Sequence, residues 1–122
     1  MKKIIIVEDD PMLADLYKMK FSMSDFEVFM AKNGKEAIGI AKKENVDVVL
    51  TDLIMPEMDG YEMTKILRSG EYNPNIKIII FSNMDQQDSE EKFAGFKVDG
   101  FVMKSKYTPS EMLEEVKKII NK

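Results

Sequence analysis

Short apolar runs alternate along the chain with longer amphipathic stretches, and polar or turn residues mark the junctions. Ile4 to Val7, led in by Lys2 and Lys3, is a run of β-branched residues that reads as a strand buried on both faces. The acidic run Glu8-Asp9-Asp10 follows, with Asp10 a good N-cap and Pro11 suited to a first helical turn. Leu13, Leu16, Tyr17 and Phe21 put an apolar stripe on that helix, which Lys20 interrupts and which should end near Met23. Phe26 to Ala31 reads as a second strand, and Asn33 with Glu36 forms a capping pair for a helix through about Lys43. Asp47 to Thr51 is a third strand that runs straight into Asp52 and then into the turn residues Pro56 to Gly60.

Beyond that turn, Met63, Ile66 and Leu67 supply a helical stripe that stops near Ser69-Gly70, before a loop from Glu71 to Asn75. Ile76 to Phe81 is a fourth strand ending in Ser82-Asn83, a charged helix spans roughly Asp85 to Phe96, and Gly100 to Met103 is a short fifth strand ending at Lys104. Thr108-Pro109-Ser110-Glu111 is a capping box with proline at N1, and Met112, Leu113, Val116, Ile119 and Ile120 give a clean amphipathic fifth helix. Strict alternation of strand and helix predicts an α/β fold, a doubly wound parallel sheet with helices on both faces. Two common doubly wound orders fit a count of about five strands, and the flavodoxin-like order 2-1-3-4-5, with five helices, places its switch point between the first and third strands. Ligands bind outside the carboxyl ends of strands at such a point, so Glu8, Asp9, Asp52, Ser82 and Lys104 are expected along one edge.

Composition narrows the chemistry. The chain has 122 residues, enough for one domain, and 1–122 is expected to be a single domain with no effector domain. A net charge of -4 argues against direct nucleic-acid binding, and the absence of cysteine and histidine removes disulfides, the usual zinc sites and serine-histidine chemistry. No apolar run is long enough for a membrane span, so a cytoplasmic protein is expected. The 11 methionines read as gap-filling core.

Three carboxylates and one ammonium at a strand edge need a cation to relieve their repulsion. Mg²⁺ is suited to the task, since it takes one or two carboxylates, keeps waters and shares its site with a phosphate. Asp52 is then a candidate nucleophile, with Mg²⁺ bridging Asp9, Asp52 and the phosphoryl oxygens and Glu8 holding a metal-bound water. Lys104 would pair with the phosphoryl group and Ser82 would offer it a hydroxyl. Taken singly, Asp52 reads as a turn cap, Asp9 or Asp10 as a helix cap, Ser82 as a strand-end hydroxyl and Phe101 as core. The joint pattern of Asp52, Asp9 and Lys104 is what favours chemistry.

The segments IIIVEDDP, TDLIMPEMDGYE, IIIFSN and DGFVMK, in that order, resemble the receiver domain of two-component response regulators, of the single-domain, chemotaxis-regulator-like kind. The resemblance implies that Asp52 accepts a phosphoryl group from a phosphohistidine on a sensor histidine kinase or histidine phosphotransfer protein. It also implies a metal ligand at the Ile54 backbone carbonyl, a switch hydroxyl at Ser82 and a switch aromatic at Phe101. Phosphorylation would draw Ser82 inward, let Phe101 bury its ring, and alter the face of helix four, strand five and helix five that meets a downstream protein. The chain would assist its own modification without being a turnover enzyme, as a monomer or a phosphorylation-dependent dimer. Two departures stand out: Ser105 replaces the family's usual proline after Lys104, and Ile54 and Met84 put apolar bulk where it would slow hydrolysis.

Other readings are an aspartyl phosphatase, a flavodoxin-like cofactor carrier, a phosphorylation-independent interaction module, or a receiver fragment of a larger transcriptional regulator. A phosphatase would place a second acid where Ile54 stands, and Glu8-Asp9-Asp10 would repel a cofactor phosphate.

Overall fold

β-Branched runs form strands here because their stiff side chains pack well on a pleated, buried surface. In the computed structural model, which describes residues 1–53, 58–82, 95 and 97–121, five strands form one parallel sheet in the order β2-β1-β3-β4-β5. They are β1 (Lys2–Val7), β2 (Phe26–Ala31), β3 (Val48–Thr51), β4 (Lys77–Ser82) and β5 (Gly100–Met103). β1 pairs with both β2 and β3, Ile4 opposite Val28 on one side and Val48 on the other, which puts the switch point where expected.

Four α-helices cover the sheet among the described residues: α1 (Pro11–Ser22), α2 (Gly34–Lys43), α3 (Gly60–Leu67) and α4 (Pro109–Ile120). Of the charged helix expected over 85–96 only Gly95, in a turn, is among the described residues; the rest lies outside them, as do Ile54 and Met84. Strand alternation divides the core in two. Ile5, Val7, Val49, Ile78 and Ile80 pack with Ala37 and Ile38 of α2 and Met63 and Leu67 of α3. Ile4, Ile6, Leu50, Ile79 and Phe81 pack on the other face with Tyr17 and Phe21 of α1 and Met112 and Val116 of α4. None of the described helices is long and apolar enough to cross a membrane.

Local chemistry sets the helix ends. The Asp10 carboxylate accepts from the Met12 and Leu13 amides, Asn33 from Glu36 and Asp59 from Glu62, satisfying amides that have no intrahelical partner. Thr108 and Glu111 close the expected capping box on α4. Past the Arg68 C-cap of α3, Gly70 turns the chain at φ 101°, a conformation that favours glycine.

Three expectations need correction. Leu16 does not share the buried stripe of α1: burial follows Leu13, Tyr17 and Phe21 at four-residue spacing, while Leu16 points outward with Met12, Met19 and Met23. For the same reason methionine is not uniformly core, since Met63 and Met112 are enclosed and those on the outer side of α1 are exposed. Strand limits also move. β1 begins at Lys2, β3 begins after Asp47, whose carboxylate accepts from the Lys3 amide, and β4 begins after Ile76, whose amide closes a turn on Asn73. β4 therefore keeps Ser82 within its ladder, opposite Met103.

Candidate functional site

The carboxyl edge of the sheet at the switch point gathers its side chains by simple continuation of the strands. β1 runs into Glu8, whose amide donates to the Ala31 carbonyl, and β3 runs into Asp52, whose amide donates to the Val7 carbonyl. Each acid is thus fixed by an extension of the parallel ladder. Behind Asp52, Thr51 Oγ1 donates to the Asp52 carbonyl, and the Gly60 amide donates to the Leu53 carbonyl at 2.9 Å. A Cβ on Gly60 would lie 2.7 Å from the Asp52 carbonyl oxygen, so only glycine lets the start of α3 approach this closely.

Asp52 is half-buried and both its carboxylate oxygens are engaged. Oδ1 accepts from the Leu53 amide at 2.7 Å and Oδ2 from Lys104 Nζ at 2.9 Å. Glu8 is buried; its Oε2 accepts from the Asp10 amide, and its Oε1 meets the Lys104 ammonium as an ion pair. Asp9, between them in sequence, is exposed. Glu8, Asp9 and Asp52 each offer an oxygen, and these ligand atoms lie within 4.8 Å of one another.

Charge is tightly balanced here. Burial pushes the Glu8 carboxyl above the usual carboxylate range, against the pull of Lys104 and the Asp10 amide. Burial draws the Lys104 ammonium down, but the hydrogen bonds and charges of Glu8 and Asp52 outweigh it and hold lysine above its ordinary value. One ammonium among three carboxylates leaves net negative charge, and all the donors are hard oxygens. That donor set fits a divalent cation such as Mg²⁺.

Of the residues singled out from sequence, Glu8, Asp9, Asp52 and Lys104 come together. Ser82 sits buried at the end of the adjacent strand β4. The Ile54 carbonyl lies outside the described residues. Phe101 does not join the acidic cluster: it pairs in register with Ile80 and packs, half-buried, on the α2/α3 side of the sheet. Alternation along β4 gives Ser82 that same side and turns Phe81 to the other. Ser105 follows Lys104 in a short 3-10 turn, Lys104–Lys106, and the described residues contain no cis peptide.

Two neighbours of the site were not singled out from sequence. Lys104 Nζ lies 5.1 Å from the centroid of the Phe81 ring, and Tyr17 meets Phe81 at 5.3 Å between centroids and 79° between planes. Burial raises the Tyr17 phenol, and the charges of Lys104, Glu8 and Asp52 all reach it. Phe81 reads as plain strand core in sequence; the one available signal is an aromatic directly before the strand-end Ser82.

Comparison with known proteins places this arrangement. Residues 4–117 match the family model described as the response regulator receiver domain. The transcriptional regulatory protein SrrA of Staphylococcus aureus is 30% identical over 122 residues, a match covering 98% of this chain and 48% of SrrA. The chain spans about half the length of the curated relatives it matches. The chemotaxis response regulator CheY4 of Vibrio cholerae has the same fold, with a TM-score of 0.88 at 23% identity over 98% of both chains. The response regulator TrrA of Thermotoga maritima, solved in complex with Mg²⁺-BeF, superposes with a TM-score of 0.81 at 30% identity, over 98% of this chain and 99% of its own. The family match covers all but the first two residues of β1, the other four strands and every residue of the acidic edge, and on that basis the chain belongs to the response regulator receiver domain family.

Proposed function

We propose that this receiver domain is a phosphoacceptor switch in which Asp52 takes a phosphoryl group from a phosphohistidine on a sensor histidine kinase or a histidine phosphotransfer protein. The observation that carries this reading is the meeting of Asp52 Oδ2 with Lys104 Nζ at 2.9 Å inside a cluster of three carboxylates. A carboxylate oxygen of Asp52 bonds to phosphorus as the bond from phosphorus to the donor imidazole nitrogen breaks. The imidazole leaves with the electron pair and takes up a proton from solvent. Such a transfer is mostly positioning and charge neutralisation, and the fixed backbone behind Asp52 serves the first of these.

Glu8, Asp9 and Asp52 would hold Mg²⁺, with the Ile54 carbonyl as a further ligand, and TrrA bound to Mg²⁺-BeF supports this assignment. Bound there, the ion supplies positive charge against the phosphoryl oxygens. Lys104 turns from the Asp52 carboxylate to the transferred group, as a compact point charge suited to phosphate. Ser82 donates its hydroxyl to a phosphoryl oxygen, and Phe101, on the same side of the sheet, follows by burying its ring. The face around β5 and α4 then changes for a downstream protein. The domain acts in the cytoplasm and assists its own phosphorylation and dephosphorylation without turning over a substrate.

Intact mass after incubation with a small phosphodonor and Mg²⁺ tests the reading. One added phosphoryl group, lost in Asp52→Asn and with a chelator, is expected. No adduct while Mg²⁺ binds, either from the small phosphodonor or from a phosphohistidine protein, would overturn it in favour of a phosphorylation-independent interaction module; an adduct from the protein donor alone would make the switch kinase-specific.

A further inference from the structure

Lys104 faces a competition that its two carboxylate partners do not resolve. Its ammonium is largely enclosed, with 13% of the side chain exposed, and it rests on Glu8 and Asp52. Those same carboxylates converge with Asp9 in the cluster suited to a divalent cation. Whatever positive charge they take up weakens their hold on the ammonium. The third contact of Lys104 is of another kind, the face of the Phe81 ring at 5.1 Å. An aromatic face attracts an ammonium within about 6 Å and does so more strongly when water is excluded. It offers nothing to Mg²⁺, which takes oxygen ligands.

The ring is also held still. Phe81 is fully enclosed on β4, and Tyr17 of α1, itself buried, meets it at 79°. Its position one residue before Ser82 ties the platform to the strand that carries the hydroxyl, so one strand end presents Ser82 to one side and Phe81 to the other.

We infer that Phe81, braced by Tyr17, is a positioning residue for Lys104, holding the ammonium beside Asp52 while Glu8 and Asp52 engage other charges. The inference rests on the proposed function for its consequence and on the lysine geometry alone for its placement. Phe81 acts through Lys104 and touches no reacting atom.

A series of mono-, di- and trifluorinated phenylalanines placed at position 81 of the full chain tests this, because fluorine drains the negative face of the ring with little change of shape. The rate of Asp52 phosphorylation by a small phosphodonor with Mg²⁺ is expected to fall stepwise along the series, to about fivefold below native for the trifluoro ring. The rates are read well below every melting transition, where each variant is fully folded, because the weakened ring contact belongs to the resting fold as well and lowers the melting temperature by a few degrees. A flat rate would overturn the inference and leave Phe81 as packing. A second readout needs neither metal nor phosphodonor: the Lys104 side-chain protons in the metal-free protein should show an upfield ring-current shift that Phe81→Leu removes. Lysine resonances at ordinary positions in the native protein would overturn the placement directly. Should the native chain take no phosphoryl group, the proposed function falls, and the lysine resonances decide the platform by themselves.

Discussion

Replacing Gly60 by alanine separates the position of Asp52 from the stability of the fold. The added Cβ would lie 2.7 Å from the Asp52 carbonyl oxygen and 3.2 Å from Leu53 Cα, both backbone atoms that cannot rotate away. Ordinary contact begins near 3.4 Å, so the start of α3 and the Asp52 peptide must part by about 0.7 Å. The Gly60 amide bond to the Leu53 carbonyl stretches with them. Overpacking of this kind costs about 1–3 kcal/mol, and at the first residue of α3, next to the Asp59 N-cap, alanine's interior helix propensity returns little, for a net loss of about 2 kcal/mol. Misplacing a reacting group by an ångström costs about a hundredfold in rate, so a shared shift of about half that should slow Asp52 phosphorylation about tenfold. Gly39, inside α2 with nothing within 4 Å of where a Cβ would stand, supplies the control, and Gly39→Ala should gain about 0.5–1 kcal/mol at native rate. Urea denaturation and intact-mass kinetics on the two variants give both quantities. A Gly60→Ala protein that phosphorylates at the native rate would refute the claim that this contact sets the position of Asp52.

Mg²⁺ should stabilise the native chain by about 2.7 kcal/mol at a hundred times its dissociation constant, and Asp9→Asn should shift that dependence to higher Mg²⁺ in thermal melts. Arg68→Met strips the largely enclosed Asp99 carboxylate of a charged partner at 3.2 Å, leaving the Ile78 amide at 2.8 Å and Lys77 and Lys97 near 4 Å, and should cost about 3 kcal/mol in urea; a loss below about 1 kcal/mol would mean those remaining partners suffice. In chelator, Lys104, held above its ordinary value, contributes stability that is complete below pH 10.5 and is lost as pH rises through its folded value; Lys104→Met should lack this alkaline loss in pH-dependent urea melts. Glu8 has the opposite sense for a carboxylate: its raised value makes the metal-free fold gain stability as pH falls through it, and Glu8→Gln should remove that gain.

Much of this protein was determined by the order of its residues alone. The β-branched runs, the caps at Asp10, Asn33 and Thr108, and the alternation of strand and helix are local matters, and they led to the five-stranded order because right-handed crossovers leave few alternatives. The acidic edge was legible for the same reason: a side chain directly after a buried strand must emerge at its carboxyl end, so Glu8, Asp52 and Lys104 meet once strand order is known. What emerges sideways was not legible. Leu16 is as apolar as Leu13, and its outward position depends on how α1 rolls against the sheet. Glycine at 60 reads as a turn residue, and the contact that requires it joins α3 to a backbone atom eight positions earlier. Phe81 reads as core, and only the packing of β4 between Tyr17 and the strand that ends at Lys104 turns its face to the ammonium. Sequence periodicity carries which faces the strand residues take, whereas the roll of a helix and the distances between faces come from packing among segments far apart in the chain.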